Sequence, residues 1–453
     1  MADFRLEDIV SLMKRRGFAF PSSEIYGGWE AAYDFGPLGA ELLRNLRNSW
    51  WTFFVHKQPN IVSLDGAIIS HPHVWEASGH VESFSDVMVE DTMTHKRYRA
   101  DHLLEEAGVH ADGMTPEEID AQIQEHDLKS PDGNILSKAR TFKLLVEVSV
   151  GTLENEKEIA YLRGETCQPM FYNFKLVKDT MRLKLPFGIA QIGKAFRNEI
   201  KVGPFIFRTR EFEQMELEMF CKPEDVDEWF GKLKDMSRAW LSTLKVTDDK
   251  LRFRDQDFKE RAHYNKVATD LEYEFPFGWK EFQGIHNRGD WDLRRHQEYS
   301  GEDFTCTDPV TGETCLPHVA EYSIGLNRLM LVLVCDAYHQ DDQRTWLALS
   351  PSIAPYKAAV FPLLRNKPEL VEKAQQIYNA LVSEGMHVDW DDRGNIGKRY
   401  LAQDEIGTPF CLTVDFQTLE DSTLTIRDRD TTEQTRIAES EISSYIKDRI
   451  KIF

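Results

Sequence analysis

The pattern of apolar residues changes once along the chain, at Ser350-Pro351. Before that point, aromatic and β-branched runs broken by Gly and Pro recur from residue 141 to residue 299, around one long helical pattern at 223–245. After it, short strand patterns and helical patterns alternate. Distant β runs predict one large antiparallel sheet, whereas alternation predicts an α/β unit. We therefore expect an α+β fold with a first domain over 1–350 and a second over 351–453.

A polar segment at about 90–140 interrupts the first domain. Within it, residues 116–126 have helical periodicity and follow Thr115, a favourable N-cap, while residues 130–133 (SPDG) carry turn signals. We interpret this segment as an insertion with a helix of its own.

Composition argues against several classes of protein. The chain has 55 basic and 76 acidic side chains and a net charge of −21, so its long-range field repels nucleic acid and a DNA-coating protein is not expected. The six cysteines are scattered without a CxxC pair, which predicts no disulfide framework and indicates the cytoplasm. Residues 1–17 fit an amphipathic helix without an apolar signal core, and the longest apolar run, 329–335, is too short for a bilayer. We expect no membrane partner.

One segment resembles a phosphate-binding loop but lacks a required residue. Gly188, Gly193 and Lys194 match most of it, but Ala195 stands where a hydroxyl should hold magnesium. The residues that follow also favour a strand over the required helix, so we expect no P-loop here.

Two clusters of metal-binding residue types also lack the expected spacing. His71, His73 and His80 have no cysteine or carboxylate support at a zinc spacing, and Cys306 and Cys315 bracket a hairpin turn without further ligands. We predict no structural zinc.

A stronger pattern spans residues 196–199 (FRNE) and 207–216 (FRTREFEQME), with a turn at 203–204 between them. Two strands would place Arg197, Glu199, Phe212 and Glu216 along an antiparallel hairpin, with 197 and 199 on one face. An arginine beside an acid and an aromatic ring can hold a phosphate, accept from an adenine amino group and stack on its ring. An ordinary salt-bridged hairpin would give the same spacing.

A second pattern follows at residues 321–328 (EYSIGLNR), where a strand leads into an apolar helix. An arginine in the first turn of a helix favours an anion, since the helix N-terminus and the guanidinium both attract phosphate. A core helix with one capping arginine, Arg328, is the alternative.

Together these patterns resemble motifs 2 and 3 of the class II aminoacyl-tRNA synthetases. Residues 71–80 (HPHVWEASGH), 97–102 (RYRADH) and 284–290 (GIHNRGD) further resemble the dimeric glycyl-tRNA synthetases of class IIa. Residues 396–400, 404–410 and 425–430 are similar to the class IIa anticodon-binding domain. The resemblance covers nearly the whole chain.

The resemblance implies a six-stranded antiparallel catalytic sheet, a C-terminal α/β domain with a mixed sheet, and ATP as a substrate with Mg²⁺. It implies that Arg197 and Arg328 are catalytic, gripping the α- and γ-phosphates, and that Glu281 helps hold the magnesium. No tightly bound organic cofactor is implied. The implied ATP-binding residues are Arg197, Asn198, Glu199, Phe207, Arg208, Thr209, Arg210, Glu211, Phe212, Glu281, Phe282, Gly325, Leu326, Asn327 and Arg328.

Glycine has no side chain to grip, so selection must come from reading its ammonium and filling the space beside it. The resemblance implies an acidic pocket for this purpose. Its implied residues are Arg99, Glu165, Phe212, Glu213, Gln214, Met215, Glu216, Arg288, Glu321, Tyr322, Ser323, Ile324 and Gly325.

The chain departs from the family in three places. Residues 163–169 read RGETCQP where Arg-Pro-Glu-Thr-Ala-Gln-Gly is usual, so we expect the loop that carries Glu165 to sit differently. Residues 141–147 stand where an Asn-Leu-Met-Phe run is usual, and Thr92 and His95 stand where some relatives carry a cysteine pair.

The implied partners are tRNA(Gly), glycine, ATP and a second copy of the chain, with the dimer formed through a helix at 38–54 and a strand after Pro59. In the second domain Lys398, Arg399, Arg427 and Arg429 could meet RNA phosphates, although residues 427–430 could equally form a solvated hairpin with internal ion pairs. Two alternatives stay open: a class IIa synthetase for another amino acid, and a catalytically inactive, nucleic-acid-binding relative.

Overall fold

A computed structural model describes residues 4–109, 111, 114–151, 157–199, 203–256, 266–308 and 310–450. The predicted N-terminal helix lies at Leu6–Arg15 within these residues, and the first three residues of that prediction lie outside them. The predicted insertion helix forms at Pro116–Glu125, where the Thr115 hydroxyl accepts from the Glu118 amide and the Glu118 carboxylate accepts from the Thr115 amide. This reciprocal cap confirms the predicted start of the helix.

The α-helices of the described residues are α1 (Leu6–Arg15), α2 (Pro37–Trp51), α3 (Pro72–Ala77), α4 (His80–Ser83), α5 (Ala100–Glu106), α6 (Pro116–Glu125), α7 (Gln168–Tyr172), α8 (Phe174–Met181), α9 (Val226–Thr243), α10 (Trp291–Ser300), α11 (Leu326–Ala337), α12 (Pro368–Ser383), α13 (Ile396–Ile406), α14 (Phe416–Asp421) and α15 (Ile442–Ile450).

The strands of the same residues are β1 (Phe20–Pro21), β2 (Tyr33–Asp34), β3 (Ile61–Ser63), β4 (Ile69–Ser70), β5 (Ser85–Glu90), β6 (Arg97–Arg99), β7 (Arg140–Lys143), β8 (Val146–Val150), β9 (Glu158–Leu162), β10 (Phe187–Phe196), β11 (Glu211–Cys221), β12 (Leu251–Asp255), β13 (Val267–Phe275), β14 (Gly278–Gly289), β15 (Cys306–Thr307), β16 (Thr314–Cys315), β17 (His318–Gly325), β18 (Tyr338–Gln340), β19 (Thr345–Leu347), β20 (Ala358–Pro362), β21 (Val388–Trp390), β22 (Phe410–Val414), β23 (Thr423–Asp428) and β24 (Gln434–Ala438).

The largest sheet in the described part of the chain has seven strands in the order β12-β13-β14-β17-β11-β10-β3. The first six pair antiparallel, as the sequence predicts, and β3 adds a parallel strand at the edge beside β10. Gly188, Gly193 and Lys194 lie within β10, so the phosphate-loop pattern is part of a strand. The large sheet is therefore assembled from segments that are distant in sequence.

One face of this sheet is covered by helices α2, α9 and α11, whose apolar side chains form the main core. Alternate residues of β11 and β17, such as Met215, Leu217 and Tyr322, point into that core. The Trp240 indole donates to the Ser49 hydroxyl at 3.0 Å inside it. The residues between them point to the opposite face, where the cleft described below lies.

The predicted insertion is built around a small sheet, β6-β5-β7, together with α5 and α6. Val89, Leu104 and Ile119 form part of its separate core. A second small sheet, β4-β9-β8, combines a strand that precedes this segment with two that follow it. The strand predicted after Pro59 is β3 in the large sheet, and Ile69–Ser70 forms β4 in this smaller one.

The last part of the chain forms a five-stranded mixed sheet in the order β21-β20-β22-β23-β24. The β20 strand pairs parallel with β21 and β22, and the remaining pairs are antiparallel. Helices α12 and α15 pack on it through Leu370, Ile377 and Ile446. The alternation of strand and helix that the sequence predicts after Pro351 is confirmed.

Among the helices of the described residues, none has the length and apolar character needed to cross a membrane.

Candidate active site

The exposed face of the seven-stranded sheet carries a cleft of about 340 Å³. Strands β11, β17, β14 and β13 form its floor, and residues 197–199 and 206–209 form one wall. Its lining residues are Glu165, Arg197, Glu199, Ile206, Phe207, Arg208, Thr209, Phe212, Glu213, Gln214, Glu216, Gln256, Asp270, Glu281, Phe282, Gly284, His286, Glu321, Ser323, Gly325, Asn327 and Arg328.

The loop after β10 brings Arg197 and Glu199 to the cleft by a different route from the predicted one. The strand ends at Phe196, and the Arg197 amide continues the pairing with the Arg210 carbonyl at 2.9 Å. The Glu199 amide then donates to the Arg197 carbonyl at 2.7 Å, so the chain turns there and the prediction of 197 and 199 on one strand face is wrong. Residues 200–202, where the predicted hairpin would continue, lie outside the described residues.

Arginines dominate one end of the cleft. The Arg197 guanidinium lies over the rings of Phe84 and Phe212, at 5.1 and 5.2 Å from their centroids, and its Nε donates to the Gly164 carbonyl at 3.0 Å. Arg208 Nε lies 3.3 Å from a carboxylate oxygen of Glu199. These contacts hold both guanidinium groups in fixed orientations at the cleft wall.

Arg328 lies in the first turn of α11, as the sequence predicts for an anion site. Its Nε donates to the Phe207 carbonyl at 3.0 Å, its guanidinium stacks on the Phe207 ring at 4.5 Å, and Nη1 lies 3.5 Å from Glu281 Oε1. Burial lowers the pKa of Arg328, and the nearby Arg208 and Arg197 act in the same direction. An anion bound between these arginines would offset that repulsion.

Carboxylates dominate the other end. Glu216 is buried, and it accepts hydrogen bonds from the Ser323 hydroxyl at 2.7 Å, the Gln214 amide at 2.8 Å and the Thr166 hydroxyl. Burial raises the pKa of Glu216 to about 7, and the neighbouring carboxylate of Glu321 adds to the shift. Glu216 therefore titrates close to neutral pH.

Glu321 and Glu165 are also buried but have cationic partners. Arg288 Nη1 contacts Glu321, and His286 Nδ1 lies 2.9 Å from the same carboxylate. Burial alone would raise the pKa of Glu321, but these two cationic partners hold that pKa at about 2. His80 Nε2 lies 3.3 Å from Glu165 and has the same effect, so the pKa of Glu165 stays well below its usual range despite burial. This end of the cleft therefore combines two ionised carboxylates with one that titrates.

The altered loop at 163–169 still delivers Glu165 to the cleft. Pro169 falls in the first turn of α7, where its missing amide hydrogen costs no hydrogen bond. Gly66 faces it so closely that a Cβ there would lie 2.4 Å from the Pro169 Cβ. Gln168 and Cys167 donate to Glu165 Oε1 at 2.9 and 3.0 Å, which fixes the carboxylate.

Several residues implied by the resemblance do not present side chains to the cleft. Met215, Tyr322 and Ile324 point into the main core because strand residues alternate between faces, and Leu326, the first residue of α11, is buried in the same core. The Glu213 carboxylate pairs instead with Arg47, at 2.6 Å to Nη2.

Other implied residues lie beside the cleft. Arg288 is buried behind Glu321 and pairs with Asp292 at 2.7 Å, while Arg99 pairs with Asp101 at 2.6 Å and Asp86 at 3.1 Å in the small sheet β6-β5-β7. The remaining ones are Asn198, Arg210 and Glu211. The backbone amide of Asn198 donates to the Leu144 carbonyl, and the Arg210 side chain donates to the Glu199 carbonyl. Glu211 pairs with Lys194.

The structure also brings residues to the cleft that the sequence analysis missed. They are Ile206, Gln256, Asp270, Gly284 and His286. Burial and the neighbouring Glu281 raise the pKa of Asp270 to about 6. The signal for His286 and Gly284 was present, because they lie two and four residues before Arg288 on one strand and so share its face.

The histidines and cysteines singled out as metal candidates have other contacts. His71 Nδ1 accepts from the His73 amide at the start of α3, and His80 contacts Glu165. Cys306 and Cys315 are opposite each other on the β15-β16 hairpin. Within the described ranges, no group of three or more His, Cys, Asp or Glu side chains is placed to hold a metal ion.

The basic residues proposed to meet RNA in the second domain are mostly buried. Arg399 donates to the carbonyls of residues 362, 392, 393 and 394 at 2.6 to 3.1 Å. Arg427 pairs with Asp404 at 2.8 Å, and Arg429 donates to the Gly407 carbonyl at 2.7 Å. These three side chains are therefore not available for phosphate contact, whereas Lys398 is exposed. Residues 427–430 contain an internal ion pair, Arg429 with Asp430 at 2.7 Å, as the alternative predicts, but Arg427 and Arg429 are buried and not solvated.

Comparison with known proteins agrees with this architecture. Residues 147–337 match the family model of the tRNA synthetase class II core domain (G, H, P, S and T), and residues 357–449 match that of an anticodon binding domain. The fold and the cleft thus define a class II aminoacyl-tRNA synthetase.

Full-length relatives narrow the family further. The chain is 47% identical to the glycine–tRNA ligase of Geobacillus kaustophilus (strain HTA426), over 98% of this chain and 99% of that protein. It is 45% identical to the glycine–tRNA ligase of Bacillus cereus, over 99% and 100%, and 46% identical to that of Alkaliphilus oremlandii (strain OhILAs), over 98% of each. The chain belongs to the glycine–tRNA ligase family.

Proposed function

We propose that this chain activates glycine with ATP, forming glycyl-adenylate and pyrophosphate, and then transfers glycine to the 3′ end of tRNA(Gly). The observation that carries the proposal is the division of one cleft into an arginine end and a carboxylate end. A polyanionic substrate and a small ammonium-bearing substrate would meet where the two ends join.

ATP would occupy the arginine end. Arg197 would hold the α-phosphate and Arg328 the γ-phosphate, with Arg208 beside them, while Glu199 accepts from the adenine amino group and the ring stacks on Phe212. The carboxylate of glycine then attacks the α-phosphorus in line with the leaving pyrophosphate. No side-chain nucleophile is needed, because positioning and fixed positive charge stabilise the transition state.

Magnesium fits the same end. Mg²⁺ usually takes one or two protein carboxylates together with substrate phosphates, and Glu281 and Asp270 supply two carboxylates in the cleft. Glu281 contributes to the raised pKa of Asp270, so the two carboxylates interact, and Asp270 also pairs with Arg254 at 2.8 Å. When bound, the metal would neutralise charge on the pyrophosphate.

Glycine would occupy the carboxylate end, with Glu216, Glu321 and Glu165 around its ammonium. The Oε1 atom of Gln214 is buried and, within the described residues, has no hydrogen-bond partner, so it is a further acceptor at this end. Packing of Ser323 and Gln214 against Glu216 would leave little space for a larger side chain.

We propose further that residues 1–350 form the catalytic domain and 351–453 the anticodon-binding domain, with 90–140 as an insertion. The chain would act as a homodimer in the cytoplasm, with α2 and β3 at the dimer interface, without a tightly bound organic cofactor. Full-length tRNA(Gly) would contact both the C-terminal domain and the cleft.

The test is pyrophosphate exchange into ATP with glycine, alanine, serine, threonine or proline as the amino acid, followed by charging of tRNA(Gly). We expect exchange with glycine alone. Exchange with another amino acid would favour a different class IIa specificity. No exchange with any of them, with or without tRNA, would favour an inactive relative and overturn the proposal.

A further inference from the structure

The C-terminal sheet meets the rest of the chain at a buried cluster of Arg344, Asp404 and Arg427, which we name the Asp404 cluster. Asp404 lies on α13 and is fully buried. It accepts from both terminal nitrogens of Arg427, on β23, at 2.8 and 2.9 Å. Arg344, which precedes β19, adds a third hydrogen bond at 3.0 Å. One carboxylate thus joins both regions.

Arg344 makes more than this one contact with the C-terminal region. Its Nη1 also donates to the carbonyl oxygen of Arg429 at 2.6 Å, and its Nη2 to that of Asp430 at 3.3 Å. The guanidinium stacks on Trp346 at 4.1 Å. The planar fork therefore fixes helix α13 and the turn after β23 at the same time.

The segment that carries Arg344 is itself held in place. Asp341 Oδ1 accepts from the amides of Gln343 and Arg344 at 2.7 and 2.8 Å, which sets the turn between β18 and β19. Close packing continues beside it, since Gly407 has a positive φ of 81° and a Cβ there would lie 2.9 Å from Leu349 Cδ1. Arg344 therefore reaches the C-terminal region from a well-ordered base.

We infer that Arg344 is a positioning residue for tRNA charging, which holds the C-terminal region in the orientation that presents the 3′ end of a bound tRNA to the cleft. This inference rests on the proposed function. Lys398, exposed at the start of α13, lies six residues before Asp404, about 9 Å along the helix axis. A contact between RNA and α13 is thus connected to the catalytic region through a rigid helix and the Arg344 guanidinium, and Glu405 on the same helix also pairs with Arg15 and Arg16 near the N-terminus. Small errors in orientation at such a connection are costly, because misplacement of the reacting ends by about 1 Å can lower a rate by about a hundredfold.

The experiment compares Arg344→Ala with the wild-type chain in three assays: glycine-dependent pyrophosphate exchange, charging of full-length tRNA(Gly), and charging of an acceptor-stem minihelix without the anticodon. We expect exchange and minihelix charging to stay at wild-type levels. We expect kcat/KM for the full-length tRNA to fall by about tenfold, mainly through kcat, because the 3′ end of the bound tRNA would be misplaced at the cleft. Arg344→Lys keeps the positive charge but not the planar guanidinium. Its kcat/KM for full-length tRNA should therefore lie between those of the wild type and Arg344→Ala.

The variant should fold, because Asp404 keeps both hydrogen bonds from Arg427. Arg252→Ala is the matched control. Like Arg344, Arg252 pairs with a carboxylate, that of Glu272 at 2.6 Å, and stacks on a tryptophan ring, that of Trp279 at 4.3 Å. Both of its partners, however, lie in the same sheet as Arg252. It should leave all three assays unchanged.

Two outcomes would overturn the inference: full-length tRNA charged by Arg344→Ala as by the wild type, or full-length tRNA and minihelix affected alike. Should Arg344→Ala not fold, the same comparison of the two RNA substrates is made with Arg344→Lys. A wild-type chain that neither exchanges pyrophosphate nor charges tRNA would show that the proposed function itself is wrong, which is a different result.

Discussion

The arginines of the cleft and those of the C-terminal sheet have opposite environments, although the sequence presents both as candidates for phosphate contact. In the cleft, the side chains of Arg208 and Arg328 are 34% and 26% exposed and pair with Glu199 and Glu281 at 3.3 and 3.5 Å. In the C-terminal sheet, Arg429 is 1% exposed, and its guanidinium is occupied by carbonyls and by Asp430.

The difference distinguishes an arginine that serves a ligand from one that serves the fold. A guanidinium has five donors, and where backbone carbonyls and carboxylates take most of them it cannot receive a phosphate as well. In the cleft, the Arg197 Nε donates to the Gly164 carbonyl, and the guanidinium lies over the rings of Phe84 and Phe212. Arg399, whose guanidinium donates to four carbonyls, therefore serves the fold, whereas Arg197 borders the cleft.

The largest effect should come from the cleft. Arg197→Ala should reduce glycine-dependent pyrophosphate exchange by about 10³, because it removes a fixed cation beside the reacting phosphate. Thermal unfolding should change little. Arg252→Ala serves as the control, and near-normal exchange by Arg197→Ala would show that Arg197 does not hold the α-phosphate.

In the C-terminal sheet, replacement of an arginine by alanine should lower the stability of the fold and not the activity. Arg399→Ala removes four hydrogen bonds to backbone carbonyls and should lower the free energy of unfolding of this region by about 3 kcal/mol. Glycine-dependent exchange should persist below the unfolding temperature. Calorimetry measures the change.

The neighbouring Arg393 provides the matched control, since it is exposed and pairs with Asp391 at 3.3 Å. Arg393→Ala should cost less than about 1 kcal/mol. Equal stability of the Arg399 and Arg393 variants would contradict the assignment of Arg399 to the fold.

At the carboxylate end, pH should reveal which side chain reads the ammonium. The pKa of Glu216 is raised to about 7, so Glu216 is ionised above that pH and protonated below it. Glycine binding favours the ionised form, and KM for glycine should therefore rise by about tenfold for each pH unit below 7. KM for glycine is measured from exchange kinetics between pH 5.5 and 8.5, a range that spans the pKa of Glu216.

Glu216→Gln should raise KM for glycine at alkaline pH and remove most of the dependence of this KM on pH. Retention of the full slope in that variant would assign the titration to another group.

The smallest effect should come from Lys398, the exposed member of the basic set in the C-terminal region. Lys398→Ala should raise KM for tRNA(Gly) by about two- to fivefold and reduce the salt dependence of binding by about one counterion, as expected for a single phosphate contact. Charging at several salt concentrations tests this. An unchanged salt slope would exclude the contact.

Much of the architecture follows from local sequence patterns. The capping box at Thr115 and Glu118, the alternation of strands and helices after Pro351, and the strand that leads into the helix of Arg328 all formed as predicted. Each depends on residues close in sequence, whose spacing sets the period and the ends of an element.

By itself, then, the sequence determined the fold class, most elements of the C-terminal region and the segments that border the cleft. Tertiary structure decided which charged side chains are available: it buried Arg399 and Arg429, turned the chain between Arg197 and Glu199, and paired Glu321 with Arg288 and His286. Local pattern specifies the face of a strand, but the partners and the pKa of Glu321 depend on residues more than thirty positions away in the chain.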